Sequence, residues 1–218
     1  MTSLYLVVEG RTEQTFVHDV LAPHLAERGV YAHARLLGRP GHKGGNVAYP
    51  RVRGDLLLLL RQFKSPDVRF STMLDLYALG RDFPGMASVD ALADGSRKVT
   101  MLEEALTTDI ADRRFFAHLQ LHEFEALLFA DVTALGRVYD DLAAAAALAA
   151  EVGGLAPEAI DDGPATSPST RIIRHFGRYA RDKVTAGPLC AHDIGLEAIR
   201  RACPHFAVWL SRLESLGR

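Results

Sequence analysis

A chain of 218 residues is long enough for one domain with a substantial core, or for a domain with an appended helical lobe. With 48% hydrophobic and 24% charged residues it has the make-up of a folded globular protein, which excludes intrinsic disorder. A formal net charge of −2 excludes a basic nucleic-acid coat protein, and the longest apolar runs, Leu56 to Leu60 and Leu142 to Ala150, are far too short to cross a bilayer.

Ser3 to Val8 reads as a short buried strand bounded by Gly10. Thr12 is placed to cap a helix whose apolar residues Phe16, Val17, Val20 and Leu21 recur at helical spacing, with Pro23 expected to kink or end it and Gly29 marking the exit. Val30 to Leu36 alternates as a half-buried strand does. "GRPGHKGGNVAYP" is a loop by its glycines and prolines, and "RVRGDLLLLLRQF" a helix. Val68 to Leu74 forms a third strand ending at Asp75, and "DLYALGRDFPG" an irregular loop. Lys98 to Ile110 forms a helix, and "RFFAHLQL" a fourth strand ending at His122 and Glu123. Helices between successive strands favour parallel pairing.

The remainder reads as helical. Val132 to Glu151 is rich in alanine and leucine, and "TSPSTRIIRHF" offers Ser167 as a cap with Pro168 at the first helical position. "CPHFAVWLSRLESL" places Phe206, Leu210 and Leu213 on one face. The expected division is an α/β core over 1–130 and a helical C-terminal extension over 131–218 packed on it, with a Gly/Pro/Asp-containing break near 153–167 as a candidate lobe boundary. Glu9 and Arg11 interrupt any apolar leader, so the expected compartment is cytoplasmic. Cys190 and Cys203 lack metal spacing and read as reduced, structural thiols.

Charge is unevenly spread. Gly29 to Gly54 holds no acid but contains Arg35, Arg39, Lys43, Arg51 and Arg53, and a second basic stretch holds Arg171, Arg174, Arg178, Arg181 and Lys183. Such patches suit a phosphate-bearing partner or, more plainly for the second, a solvated helix face.

Acids collect at the carboxyl ends of the strands, where open parallel sheets carry their functional groups. Glu9 follows the first strand, with Glu13 one helical turn on. Asp75 ends the third, with Asp82 in the loop beyond. Glu123 and Glu125 follow the fourth. Each alone is an ordinary cap or turn acid. Together they would repel one another unless a cation intervened, and oxygen-only ligands without a His/Cys set favour Mg²⁺ or Mn²⁺. Glu123 and Glu125 share a face only if the strand continues through them, and His122 reads as a local hydrogen-bonding residue. The P-loop ending, GxGxxG, HExxH and GxSxG are all absent, which narrows the field to metal-assisted phosphate chemistry or to binding.

"VEGRTE" resembles the VEGxxE signature of the Toprim domain found in topoisomerases, primases and OLD-type nucleases. Taken with "MLDLYALGRDFPG", "QLHEFEALLF" and "SPSTR", it resembles a bacterial family of uncharacterised Toprim-like proteins whose genes often neighbour AAA- or ABC-type ATPases in mobile or defence loci. The resemblance implies an α/β Toprim-like core, a four-stranded mainly parallel sheet flanked by helices. It matches Glu9 and Glu13 to the Toprim acids and Asp75 to the first aspartate of Asp-x-Asp. Tyr77 stands where the second aspartate is expected, so a further ligand must come from Asp82, Glu123 or Glu125.

The expected function is Mg²⁺- or Mn²⁺-dependent phosphodiester hydrolysis of DNA or RNA, with an ATPase as the partner the resemblance implies. Glu9, Glu13 and Asp75 are the expected catalytic residues. Arg39, Lys43, Arg171 and Arg174 would grip nucleic acid, the last two with the amides at the "SPSTR" helix start. The alternatives are a non-catalytic subunit that binds nucleic acid or an ATPase, and a phosphatase using Asp75 as nucleophile.

Overall fold

The computed structural model describes residues 1–38, 48–89, 92, 94–160, 163 and 165–217. Apolar, β-rich segments pair in parallel. β1 (Thr2–Val8) lies between β2 (Val30–Leu36) and β3 (Val68–Asp75). The predicted fourth strand is two short pieces, β4 (Phe115–Phe116) and β5 (Leu119–Gln120), both parallel to β3. Between them the ladder is taken over by a side chain: Thr72 Oγ1 donates to the His118 carbonyl at 2.8 Å and accepts the His118 amide at 2.9 Å. The order is β2-β1-β3-β4, so the chain leaves β1 in one direction and returns on its other side.

Both faces of the sheet are covered, which explains why β1 reads as continuously apolar. Leu4, Leu6 and Val8 join a core with Phe16, Leu21, Phe124, Leu128, Phe206 and Leu210. Tyr5 and Val7 join an opposite core with Leu56, Phe70, Leu102 and Leu106. The second core is roofed by α3 (Tyr49–Gln62) and α5 (Gly95–Ile110), with the short α4 (Met86–Val89) beside them. Tyr49 and Pro50, expected in the preceding loop, are the first residues of α3. The rest of that loop, 39–47, lies outside the described residues.

On the first face α1 (Arg11–Phe16) passes through a π turn (Val17–Leu21) into α2 (Ala22–Ala26). Pro23 therefore does not end the helix. The widened turn before it accommodates a ring that cannot donate to the preceding turn, and the exit comes at Gly29 with φ +76°. The C-terminal region completes this face. α6 (Thr133–Tyr139) and α7 (Leu142–Val152) divide the predicted Ala/Leu helix at Asp140, whose φ of +54° stops the first and whose neighbour Asp141 caps the second. α8 (Pro168–His175) starts at Ser167 as expected. α9 (Tyr179–Ile194), α10 (Leu196–Ala202) and α11 (Pro204–Ser215) follow. Cys190 and Cys203 are free and buried. Among the described residues no helix is long and apolar enough to cross a membrane.

Candidate metal centre

The strand order reverses between the parallel neighbours β1 and β3, and their carboxyl ends are the position where open α/β sheets hold ligands. Glu9 leaves β1 there, and Val8 pairs with Met73, two residues before Asp75. Gly10 is the cap of α1, so the helix starts earlier than a Thr12 cap would allow. Glu13 Oε2 accepts the Gly10 amide at 2.9 Å. That bond explains the glycine: a Cβ on residue 10 would sit 2.8 Å from Glu13 Oε2, and the Glu13 side chain is buried and cannot simply swing away. Gly10→Ala is therefore expected to expel the Glu13 carboxylate and cost about 1.5–3 kcal/mol through the lost charge-assisted bond, read as a lowered midpoint in urea.

The fourth strand does not continue into the acids after it. His122 takes a left-handed turn, φ +62°, and its Nε2 bonds the carbonyl of Glu158, in the segment before α8, at 3.0 Å. A 3₁₀ turn (Phe124–Ala130) begins immediately, and its first amide, Phe124 N–H, donates to Asp75 Oδ1 at 3.1 Å. Glu123 and Glu125 consequently diverge. Glu123 accepts the Ser169 amide, and its Oε2 takes the Ser169 hydroxyl at 3.0 Å. Glu125 is buried against α9, accepting from Tyr179 Oη at 3.1 Å with Lys183 Nζ at 3.8 Å. Gly187 makes this possible, since a Cβ there would meet Tyr179 Oη at 2.9 Å and Phe124 at 3.0 Å.

Electrostatics tie these residues into one group. Burial raises Glu9 to about 7, with Glu13 adding to the effect and the Asp75 amide opposing it. Burial, then the charges of Glu13, Glu9, Glu125 and Glu123, hold Asp75 well above the carboxylate range. Burial also raises Glu13, and lifts Glu125 to about 7 against the pull of Lys183. Lys183 is itself raised, chiefly by Glu125. Glu9 Oε2 is buried and has no hydrogen-bond partner among the described residues. Five carboxylates thus act on one ammonium, with an orphaned oxygen among them, and the donors are all oxygens.

Other predicted site residues lie elsewhere. Asp82 is exposed and accepts the Tyr49 amide at 3.0 Å, so it serves the start of α3. Tyr77 is 56% exposed and supplies no charge. Arg39 and Lys43 lie outside the described residues. Arg171 and Arg174, expected to grip nucleic acid, are engaged within the chain. Both guanidiniums bond Glu151, at 2.9 and 2.5 Å, and carbonyls of the preceding loop. The α8 N-terminus is likewise engaged, by Glu123 at Ser169 and by Ser167 Oγ at Thr170. Of the second basic stretch it is Lys183 that faces the acids. Its spacing of four from Gly187 and from Tyr179 was the available signal.

A second cluster has no counterpart in the sequence reading, which found no histidine set. Glu103 on α5, His118 between β4 and β5, and His205 on α11 bring one ligand atom each to within 4.8 Å of one another, an arrangement capable of coordinating a divalent metal. Burial works against the Glu103 charge, but hydrogen bonds and charge from His118 and His205 hold it down at about 2. Segments separated by 15 and by 87 residues carry no spacing motif for this.

Comparison with curated proteins gives no match. Among solved structures, the C-terminal region of the Xanthomonas campestris pv. campestris OLD protein, phased with iodine, aligns over 95% of this chain and 95% of that one at 17% identity and a TM-score of 0.33. A likeness this loose assigns no activity. The model of the domain of unknown function DUF4276 matches residues 8–214, nearly the whole sequence, and the chain belongs to that family.

Proposed function

We propose that this protein is a Mg²⁺- or Mn²⁺-dependent phosphodiesterase that cleaves DNA or RNA. The single observation that carries the reading is that Glu9, Glu13, Asp75 and Glu125 lie in one another's field at the carboxyl ends of β1 and β3, where burial first and then neighbouring acids raise them, with the charge of Glu123 adding to it. Glu9, Asp75 and Glu125 would hold the cation, with Glu123 beside them. When bound, it supplies Lewis acidity to the scissile phosphate and offsets the charge that builds there. Glu13 orients the turn through Gly10. Glu9 would offer its free Oε2 to the cation or, where it is not committed to the metal, take a proton from the attacking water. Lys183, half exposed beside Glu125, would supply positive charge to a bound phosphate. The resemblance implies an AAA- or ABC-type ATPase as a partner.

The test is conversion of supercoiled plasmid and of single-stranded RNA in Mn²⁺ by wild type and Glu9→Gln. Cleavage by wild type and its loss in the variant are expected, while equal cleavage by both would defeat the assignment. One observation favours a second, non-catalytic reading. The Lys183 ammonium beside Glu125 already offsets part of the acidic charge, and Tyr77 leaves the expected aspartate unfilled. That reading predicts nucleic-acid or ATPase binding with no cleavage and no saturable Mn²⁺ uptake by calorimetry.

A further inference from the structure

We propose that Glu103, His118 and His205 form a binding site for a zinc-type transition metal, separate from the acidic pocket, that fastens α11 to α5 at the edge of the sheet. The inference is independent of the phosphodiesterase reading.

The donor set is two imidazole nitrogens and a carboxylate oxygen, the chemistry of Zn²⁺, Co²⁺ or Ni²⁺ rather than Mg²⁺. Glu103 Oε1 lies 2.9 Å from His205 Nε2 and 3.4 Å from His118 Nδ1. Ligands held at about 2.0–2.1 Å around a tetrahedral zinc stand roughly 3.3–3.5 Å apart, so His118 is already at that spacing and His205 is within a few tenths of an ångström of it. The ligands are pre-oriented. The His118 ring stacks on Trp209 at 4.2 Å and 8°, and on His205 at 5.1 Å and 19°. Glu158 holds the start of α11 by accepting the His205 and Phe206 amides at 2.9 and 3.0 Å. Trp209 Nε1 is anchored on Ser71 Oγ at 3.0 Å.

The surroundings of His118 point the same way. The ring is buried, and its Nε2 has no hydrogen-bond partner among the described residues; nor does the buried Gln120 Oε1, although the Gln120 side chain acts on the ring. Metal at Nδ1 requires the proton to reside on Nε2, which turns Nε2 into a donor matched to that orphaned acceptor. Metal-bound histidines ordinarily have such a second partner. Binding requires both ligating nitrogens to be free of protons: a proton on His118 Nδ1 moves to Nε2, one on His205 Nε2 moves to Nδ1, and any second proton on either ring goes to solvent. An open cleft lined by Glu103, Thr107, Ala117 and Arg212 reaches the Glu103 side of the cluster and offers a route of entry. Arg212 lies over the Phe116 ring at 4.0 Å.

The test uses the full chain stripped with chelator, titrated with Zn²⁺ by calorimetry and with Co²⁺ by visible absorption. One equivalent of Zn²⁺ per chain and the intense bands of four-coordinate Co²⁺ are expected. Binding should weaken at least tenfold in His205→Gln and Glu103→Gln and persist in Asp75→Asn. X-ray absorption at the zinc edge of wild type supplies a readout needing no variant, and two imidazole shells are expected. No saturable Zn²⁺ binding by wild type would overturn the proposal. So would an all-oxygen shell, or loss of binding in Asp75→Asn with retention in Glu103→Gln.

Discussion

Asp75→Asn is expected to do two opposite things: to cut Mn²⁺-dependent cleavage by about 100-fold or more, and to raise the melting temperature of the metal-free protein at pH 8. The first follows from removing a ligand, since even groups that merely support ligands cost 10–100-fold when changed. The second follows from the charges. Burial and four neighbouring carboxylates work against an ionised Asp75, and an amide removes that charge at nearly constant shape. Asn retains an oxygen at the position that accepts the Phe124 amide, so the turn leading to Glu125 keeps its anchor. Functional sites are commonly less stable than they could be for this reason. Plasmid cleavage and differential scanning calorimetry on the same preparation check both effects. A variant that is both inactive and less stable would make Asp75 a structural residue.

The second large effect is a pH dependence of stability in the metal-free protein. Glu9 has an ordinary value of 4.5 and is raised to about 7 when folded, and Glu125 likewise. Between those values the folded state binds more protons than the unfolded state, so stability falls as pH rises from about 4.5 through 7, and the raised Asp75 and Glu13 add to the fall. One such group costs roughly 3 kcal/mol once fully ionised, on the order of 10 °C in melting temperature for a chain this long. Mn²⁺ should remove the loss, so its stabilisation will be larger at pH 8 than at pH 6. Burial lowers His118 and gives an opposite slope below its ordinary 6.5, so the difference between wild type and Asp75→Asn is the cleaner quantity. A difference that stays flat from pH 5 to 8 would show that the carboxylates do not share a field.

The sequence by itself determined the β-α-β-α-β core, the Ser167 and Pro168 start of α8, and the acids at the ends of β1 and β3. These are local matters: apolar runs, caps and turn residues act over a few positions. The tertiary structure alone decided the rest. It split the fourth strand at His118, because a side chain from β3 takes the place of a ladder bond. It separated Glu123 from Glu125, because a left-handed His122 begins a 3₁₀ turn where a strand would have kept them on one face. It assigned Arg171 and Arg174 to Glu151 and turned Lys183 toward the acids, a choice among basic residues that composition cannot make. And it gathered Glu103, His118 and His205 from three remote segments, a proximity created only when α11 closes over the edge of the sheet.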